Sequence, residues 1–185
     1  MQPIFLIGYM GSGKSTIGRH LSALTGMQFI DLDNYIEGRY RATVRELFAQ
    51  YGEEGFRTRE QAMLHEAGEF EDTIVACGGG TPCFFNNMEW MNAHGTTVLL
   101  DVDIDRLHAR LMRGRHKRPL IAGKSDTELR EFIVWALAAR MPYYSGAKLR
   151  FRADRLDNEQ EKAVTARQFA EFLHLPILPP LESHD

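Results

Sequence analysis

The chain is short of several things at once, and each shortage narrows what it can be. It has two cysteines in 185 residues, Cys77 and Cys83, separated by five residues with no second pair. Neither a disulfide framework nor a cysteine-rich zinc site is indicated, and both thiols are expected to be reduced and buried. The seven histidines show no HxxxH or HExxH spacing, so no zinc chemistry is assigned to them. Surplus positive charge is missing as well: 22 Lys and Arg stand against 25 Asp and Glu. A general nucleic-acid binder would carry a strongly basic face, so no nucleic-acid partner is expected, and any basic cluster has a local purpose. No stretch approaches the roughly 18 to 20 apolar residues of a membrane span, and the first apolar run is too early and too brief for a secretory signal. The expectation is a soluble, cytoplasmic protein with no membrane partner.

What is present is alternation. Ile4 to Ile7 is a short apolar run ending in a glycine-rich turn, and Lys14 to Leu24 places Ile17, Leu21 and Leu24 on one helical face. Further strand candidates are Gln28 to Leu32, Thr73 to Cys77, Thr96 to Leu100 and Lys148 to Ala153. Helices are expected between them. Thr43-x-x-Glu46 and Ser125-x-x-Glu128 read as capping boxes, the first opening a short helix that stops at Gly52, with another from about Glu53 to Ala67. The helix after Ser125 is expected to end at Arg140 and Met141, because Pro142 disfavours helical geometry in the residue before it. Strands alternating with helices, with no internal repeat, predict a parallel sheet with helices on both faces. The length suits one domain, here residues 1–175, followed by a Pro-rich tail at 176–185 that is expected to be poorly ordered.

Gly8 to Ser15 matches GxxxxGK[ST] in full, behind a strand and ahead of an amphipathic helix. That spacing lets successive backbone N–H groups curl around phosphate oxygens while the helix N-terminus adds positive potential. Gly11, Ser12, Gly13, Lys14, Ser15 and Thr16 are therefore candidate ATP contacts. Lys14 is the phosphate cation and Ser15 supplies a hydroxyl to Mg²⁺. Such a site usually has an acidic residue at a strand end on the metal. Asp31 and Asp101 both qualify, and spacing leaves them about equal.

On the acceptor side, Asp33 follows Asp31 by two residues, so in an extended segment both carboxylates point the same way. Arg57 and Glu60 are one helical turn apart, which suits either a carboxylate receptor held in place or a solvated salt bridge. Arg140 ends an otherwise apolar stretch. Arg113, Arg115, Lys117 and Arg118 form the one dense basic run, within a loop at about 113–124 that reads as a mobile lid over phosphates.

Taken together, "GYMGSGKSTIG", "DLD", "GEEGFRTRE", "GGGTP", "KRPLI" and "ARMPYY", in that order from about Ile4 to Leu173, resemble the shikimate kinase family of P-loop proteins. The resemblance implies a three-layer α/β/α P-loop kinase with a five-stranded parallel sheet. It implies transfer of the ATP γ-phosphoryl group to the 3-hydroxyl of shikimate, with Mg²⁺ as cofactor and shikimate and ATP as the small-molecule partners of a monomer. Carried onto these residues, it gives Asp31 the metal role alongside Ser15, and Asp33 the reacting hydroxyls. Arg57 and Arg140 take the carboxylate, Gly79 and Gly80 approach the ring, and Arg118 reaches the phosphates from the lid. Lys14, Asp33 and Arg118 form the implied catalytic set, and Phe48 and Phe56 line the acceptor pocket. Arg110 and Arg113 compete for an adenine-packing role, and "ADRLDNEQ" is a further adenine candidate without residue assignments.

Overall fold

The computed structural model describes residues 1–115, 118 and 120–179. Among the described residues five parallel strands form one sheet in the order β2-β3-β1-β4-β5: β1 (Ile4–Ile7), β2 (Gln28–Asp31), β3 (Thr73–Ala76), β4 (Thr96–Asp101) and β5 (Leu149–Arg152). Every residue of β1 and β3 is buried, as strands covered on both faces require. The helices are α1 (Lys14–Thr25), α2 (Leu32–Tyr40), α3 (Val44–Gly68), α4 (Asn87–His94), α5 (Ile104–Arg113), α6 (Asp126–Tyr144) and α7 (Glu159–Phe172). A 3₁₀ turn at Thr81–Cys83 follows the Gly78-Gly79-Gly80 segment.

Register explains the layers. Ile4 pairs with Ile74 and Phe29 with Ile74, so these three side chains share a face, where Phe29 packs on Gly18 of α1. Phe5 points the other way, meeting Trp90 of α4 edge-on and lying under Gly68 of α3. At the β5 edge the alternation is sharp. Phe151 packs, tilted, against Phe169 and Phe172 of α7, while Arg150 and Arg152 stand on the opposite face. Phe5 is fully buried at the sheet centre, and truncating it to Ala is expected to cost about 3 to 5 kcal/mol.

Both capping boxes form, with Thr43 and Ser125 each exchanging hydrogen bonds with the Glu three residues on; each is worth about 1 kcal/mol. Gly52 breaks α3 as expected, at φ 67 and ψ −176, a conformation outside the helical region that glycine adopts without a Cβ penalty.

Three expectations are corrected. Asp31 and Asp33 do not share an extended segment, because Asp31 is the N-cap of α2, an unanticipated helix, and Asp33 lies in its first turn. Helix α6 runs through Pro142 to Tyr144. Pro142 removes a single N–H in the last turn, while Tyr144 is fully buried and its phenol donates to Gly79 O at 2.6 Å, which ties down the helix end. The start of the tail is docked: just after the buried Leu175, Leu178 N–H donates to Leu24 O at 2.8 Å. Residues 180–185 lie outside the described residues. No helix among the described residues is long and apolar enough to cross a membrane.

Candidate active site

The phosphate loop is shaped by its own backbone. Gly13, the N-cap of α1, has φ 96 and ψ 13, a left-handed conformation suited to glycine, and Ile17 N–H donates back to Gly13 O at 2.8 Å. Lys14 Nζ folds across the loop to donate to Gly8 O at 2.8 Å and Tyr9 O at 3.0 Å. Burial lowers its pKa to about 8, against the opposing pull of the nearby Asp33. A cation held this way gains from incoming phosphate charge. Gly11, Gly13, Lys14, Ser15 and Thr16, with Arg110, Arg118 and Leu156, line a cavity of about 310 Å³ beside the loop. Ser12 is buried behind it.

The two strand-end acids differ in their neighbours. Ser15 Oγ donates to Asp31 Oδ2 at 2.5 Å, so these two oxygens sit side by side at the start of α1. Asp101 is instead held by Arg150 and Arg152 at 2.9 and 3.1 Å. The Arg110 and Arg113 ambiguity divides similarly. The Arg110 guanidinium donates to Gly11 O, Ala153 O and Asp154 O and lines the cavity. Arg113 pairs with Asp157 at 2.7 Å on the surface.

From the basic loop, Arg118 lines the same cavity, its guanidinium donating to Gly114 O at 3.1 Å. Arg115 instead donates to Lys124 O. Lys117 and Pro119 of the "KRPLI" motif lie outside the described residues.

The candidate acceptor side is built around the three glycines after β3. A methyl group on Gly78 would stand 3.1 Å from both Asp33 Oδ1 and Glu60 Oε1; one on Gly79, 3.1 Å from an Arg140 nitrogen; one on Gly80, 2.6 Å from an Arg57 nitrogen. Four charged side chains from α2, α3 and α6 therefore converge where the backbone has no side chains of its own. The same methyl group on Gly79 would stand 3.5 Å from Gly8 O and 3.6 Å from Met10 N of the phosphate loop, so the two halves adjoin.

Arg57 is fixed on several sides. Glu60, buried to 1% exposure, accepts from it at 2.6 Å and also accepts from Thr81 Oγ1 at 2.6 Å. The stacked rings of Phe48 and Phe56 flank the guanidinium, and Phe84 lies 4.1 Å away. The solvated salt bridge left open by the sequence is thereby excluded, since a surface pair has none of this enclosure. Arg140 lies over the Tyr9 ring at 5.3 Å.

Asp33 is exposed as a residue, while protein crowds its carboxylate. Burial, and then the charges of Asp31 and Glu60, push its pKa up to about 6, with Lys14 opposing. Sequence reading missed Phe84, the second bond of Glu60, and Tyr144. Of these only Glu60 carried a signal, its one-turn spacing from Arg57.

Comparison with known proteins gives the family. The shikimate kinase family profile matches residues 10–173. A shikimate kinase from Parabacteroides distasonis is 51% identical over 161 residues, 87% of this chain and 93% of that protein. The crystal structure of shikimate kinase from Bacteroides thetaiotaomicron superposes with a TM-score of 0.90 at 46% identity, covering 94% of this chain and 99% of that one. Shikimate kinase from Acinetobacter baumannii in complex with shikimate matches with a TM-score of 0.78 at 30% identity, covering 94% and 93%. With the motifs in order, the sheet topology and these matches over nearly the whole chain, the protein belongs to the shikimate kinase family.

Proposed function

We propose that this kinase transfers the γ-phosphoryl group of ATP to the 3-hydroxyl of shikimate, giving shikimate 3-phosphate and ADP for aromatic amino-acid biosynthesis. The carrying observation is the convergence of Asp33, Arg57 and Arg140 on the three-glycine segment, directly beside the phosphate loop. Two guanidiniums suit a carboxylate, and a carboxylate with a raised pKa suits a hydroxyl proton.

In this reading Arg57 and Arg140 bind the shikimate carboxylate, and Gly79 and Gly80 leave room for its ring. Phe48 and Phe56 wall the pocket. Gly11, Ser12, Gly13 and Thr16 surround the ATP phosphates, with Lys14 and Arg118 placed on the transferring group and Arg110 at the nucleotide. As the acceptor oxygen bonds to the γ-phosphorus and the β–γ bridging bond breaks, Asp33 orients the hydroxyl and takes its proton. The adjacent oxygens of Ser15 and Asp31 fit a magnesium ion, a hard cation that takes few protein ligands alongside phosphates. Among the described residues no three-residue His, Cys, Asp or Glu cluster competes for it. When bound, that ion would neutralise phosphate charge. The 113–124 loop acts as a lid that excludes water, residues 1–175 work as one domain, and the enzyme is a cytoplasmic monomer.

The test is ADP release from MgATP with purified protein, with shikimate and, as controls, gluconate and nucleoside monophosphates. Strong stimulation by shikimate alone is expected. Stimulation by another acceptor instead overturns the acceptor assignment and leaves the phosphate loop standing. Light scattering on the same sample checks the monomer.

A further inference from the structure

Among the described residues, three aromatic rings surround the Arg57 guanidinium, and one of them is foreign to its helix. Phe48 and Phe56 belong to α3, which also carries Arg57, and their centroids lie 5.6 and 5.3 Å from its Cζ. Phe84 comes from the connection between the 3₁₀ turn and α4, and it is nearest, at 4.1 Å. The polar contacts explain why rings are needed. The Arg57 side chain is 12% exposed, its Nε is buried without a hydrogen-bond partner among the described residues, and Glu53, largely in solvent, lies at 3.7 Å. Glu60 makes the close pair. A desolvated guanidinium on an aromatic face regains part of the stabilisation it loses with its hydration.

The chain is bent to put Phe84 there. Phe85 has φ 48, a left-handed conformation that is an outlier for a bulky aromatic, and its own side chain is 51% exposed. Such strain persists only where the surroundings over-determine it. Burial of Phe85 is not what holds it, so the constraint lies in the residues on either side. Before it, Phe84 lies on Arg57. After it, the fully buried Asn87 donates through Nδ2 to Thr81 O at 2.9 Å and accepts from Gln61 Nε2 at 3.1 Å, while its backbone N–H donates to Phe84 O at 3.2 Å. Thr81 in turn donates to Glu60. The segment from Thr81 to Asn87 is thus closed on itself and joined to α3 at Glu60, Gln61 and Arg57.

We infer that Phe84 is a positioning residue for acceptor binding: its ring holds the Arg57 guanidinium in the orientation that receives a carboxylate, and the left-handed turn at Phe85, anchored by Asn87, sets that ring in place. The inference rests on the acceptor assignment above. Phe84 acts through Arg57, so its contribution is felt only by an acceptor whose carboxylate is charged. A guanidinium released from the ring turns away and takes up water, and both changes weaken its charge-assisted bonds.

Calorimetric titration and steady-state kinetics of the full chain test this. Phe84→Ala should raise both Kd and KM for shikimate at least about fivefold, with kcat and the KM for ATP within about twofold, as loss of uniform binding requires. Phe84→Tyr, which keeps the ring face, should stay within about twofold of the parent, whereas Phe84→Leu, similar in bulk but without that face, should resemble the Ala variant. The affinity of Phe84→Ala for the methyl ester of shikimate, which lacks the carboxylate charge, should lie within about twofold of the parent's. Phe85→Asn, which suits the left-handed backbone, should leave the shikimate KM within about twofold. Unchanged shikimate affinity in Phe84→Ala, full rescue by Leu, an equal loss with the ester, or a rise in both KM values overturns the role. A rise in Phe85→Asn that matches Phe84→Ala overturns the assignment to the Phe84 ring. Phe84→Leu decides the matter if the Ala variant does not fold by circular dichroism. Without any acceptor, a double-mutant cycle of Phe84→Leu and Arg57→Met in urea unfolding should show a coupling of at least about threefold in the unfolding equilibrium constant. Additive losses overturn the contact. A parent protein that neither binds nor phosphorylates shikimate would strike the proposed reaction and leave that cycle to decide whether Phe84 holds Arg57.

Discussion

The phosphate loop and the proposed acceptor pocket adjoin at Gly79, yet they are made in opposite ways. The loop is one contiguous run, Gly8 to Thr16, closed by bonds among its own residues, such as Ser12 N–H to Tyr9 O and Lys14 Nζ to Gly8 O. The pocket draws Asp33 from α2, Arg57 and Glu60 from α3, the glycines from beyond β3, and Arg140 and Tyr144 from α6. A locally closed site withstands changes elsewhere in the fold. A site assembled from distant segments depends on side chains that need never touch substrate, here Glu60 and Tyr144, and the expected variant effects follow that division.

The largest effect is expected at the junction itself. Asp33→Asn should lower kcat by about 10²- to 10⁴-fold, the usual range for a general base, while ATP affinity measured by calorimetry stays within about twofold. Near-normal turnover in this variant would falsify the proton-accepting role. The same substitution should raise the Tm of the ligand-free protein. With a folded pKa of about 6, above the ordinary value of 3.8, Asp33 favours folding fully only below that ordinary value. That contribution is lost as pH rises through about 6, so at neutral pH the ionised carboxylate opposes folding and Asn removes the penalty.

Next in size is pH. Below about 6, kcat/KM should fall about tenfold per pH unit as Asp33 protonates, and above about 8 the limb for ATP should fall as Lys14 loses its proton. An acid limb near 4 would detach Asp33 from the chemistry.

The assembled half is probed by Glu60→Gln, which weakens the hold on both Arg57 and Thr81. The KM for shikimate should rise roughly tenfold with the KM for ATP unmoved, and denaturant unfolding should show a loss of about 1 to 3 kcal/mol. Parallel rises in both KM values would mean that the two halves are not independent. Tyr144→Phe removes one hydrogen bond to Gly79 O. It should cost about 1 kcal/mol in stability and a few-fold in shikimate KM. Smallest is Asp101→Asn: because Asp101 is tied to Arg150 and Arg152, the magnesium dependence of turnover should stay within about twofold of the parent, whereas Asp31→Asn shifts it strongly. The reverse pattern would return the metal role to Asp101.

Legibility followed the same line as robustness. All five strands, both capping boxes, the break at Gly52 and the whole phosphate loop could be read from the chain, because each is encoded within a few neighbouring residues. Helix α2 was missed since nothing in "LDNYIEGRY" carries a strong apolar period, and its start is set by Asp31 capping a strand end. Pro142 misled for a related reason. Its local preference to end a helix is real, but burial of Tyr144 and the bond to Gly79 O outweigh it, and neither is visible in the flanking residues. Asp31 and Asp101 were indistinguishable by spacing because each ends a strand; what separates them is Ser15 on one side and two arginines on the other.

By itself, then, the sequence determined the alternating α/β plan, the phosphate-binding turn and the residue types required for phosphoryl transfer. These depend on dihedral preference, hydrophobic period and short-range hydrogen bonding, which act over a few residues. Only the tertiary structure decided which acid stands by Ser15, which arginine lines the nucleotide cavity, and how Asp33, Arg57 and Arg140 come to share the space beside three glycines. Those outcomes turn on burial and charge pairing between segments as far apart as α2 and α6, and they exist only once the sheet has brought those segments together.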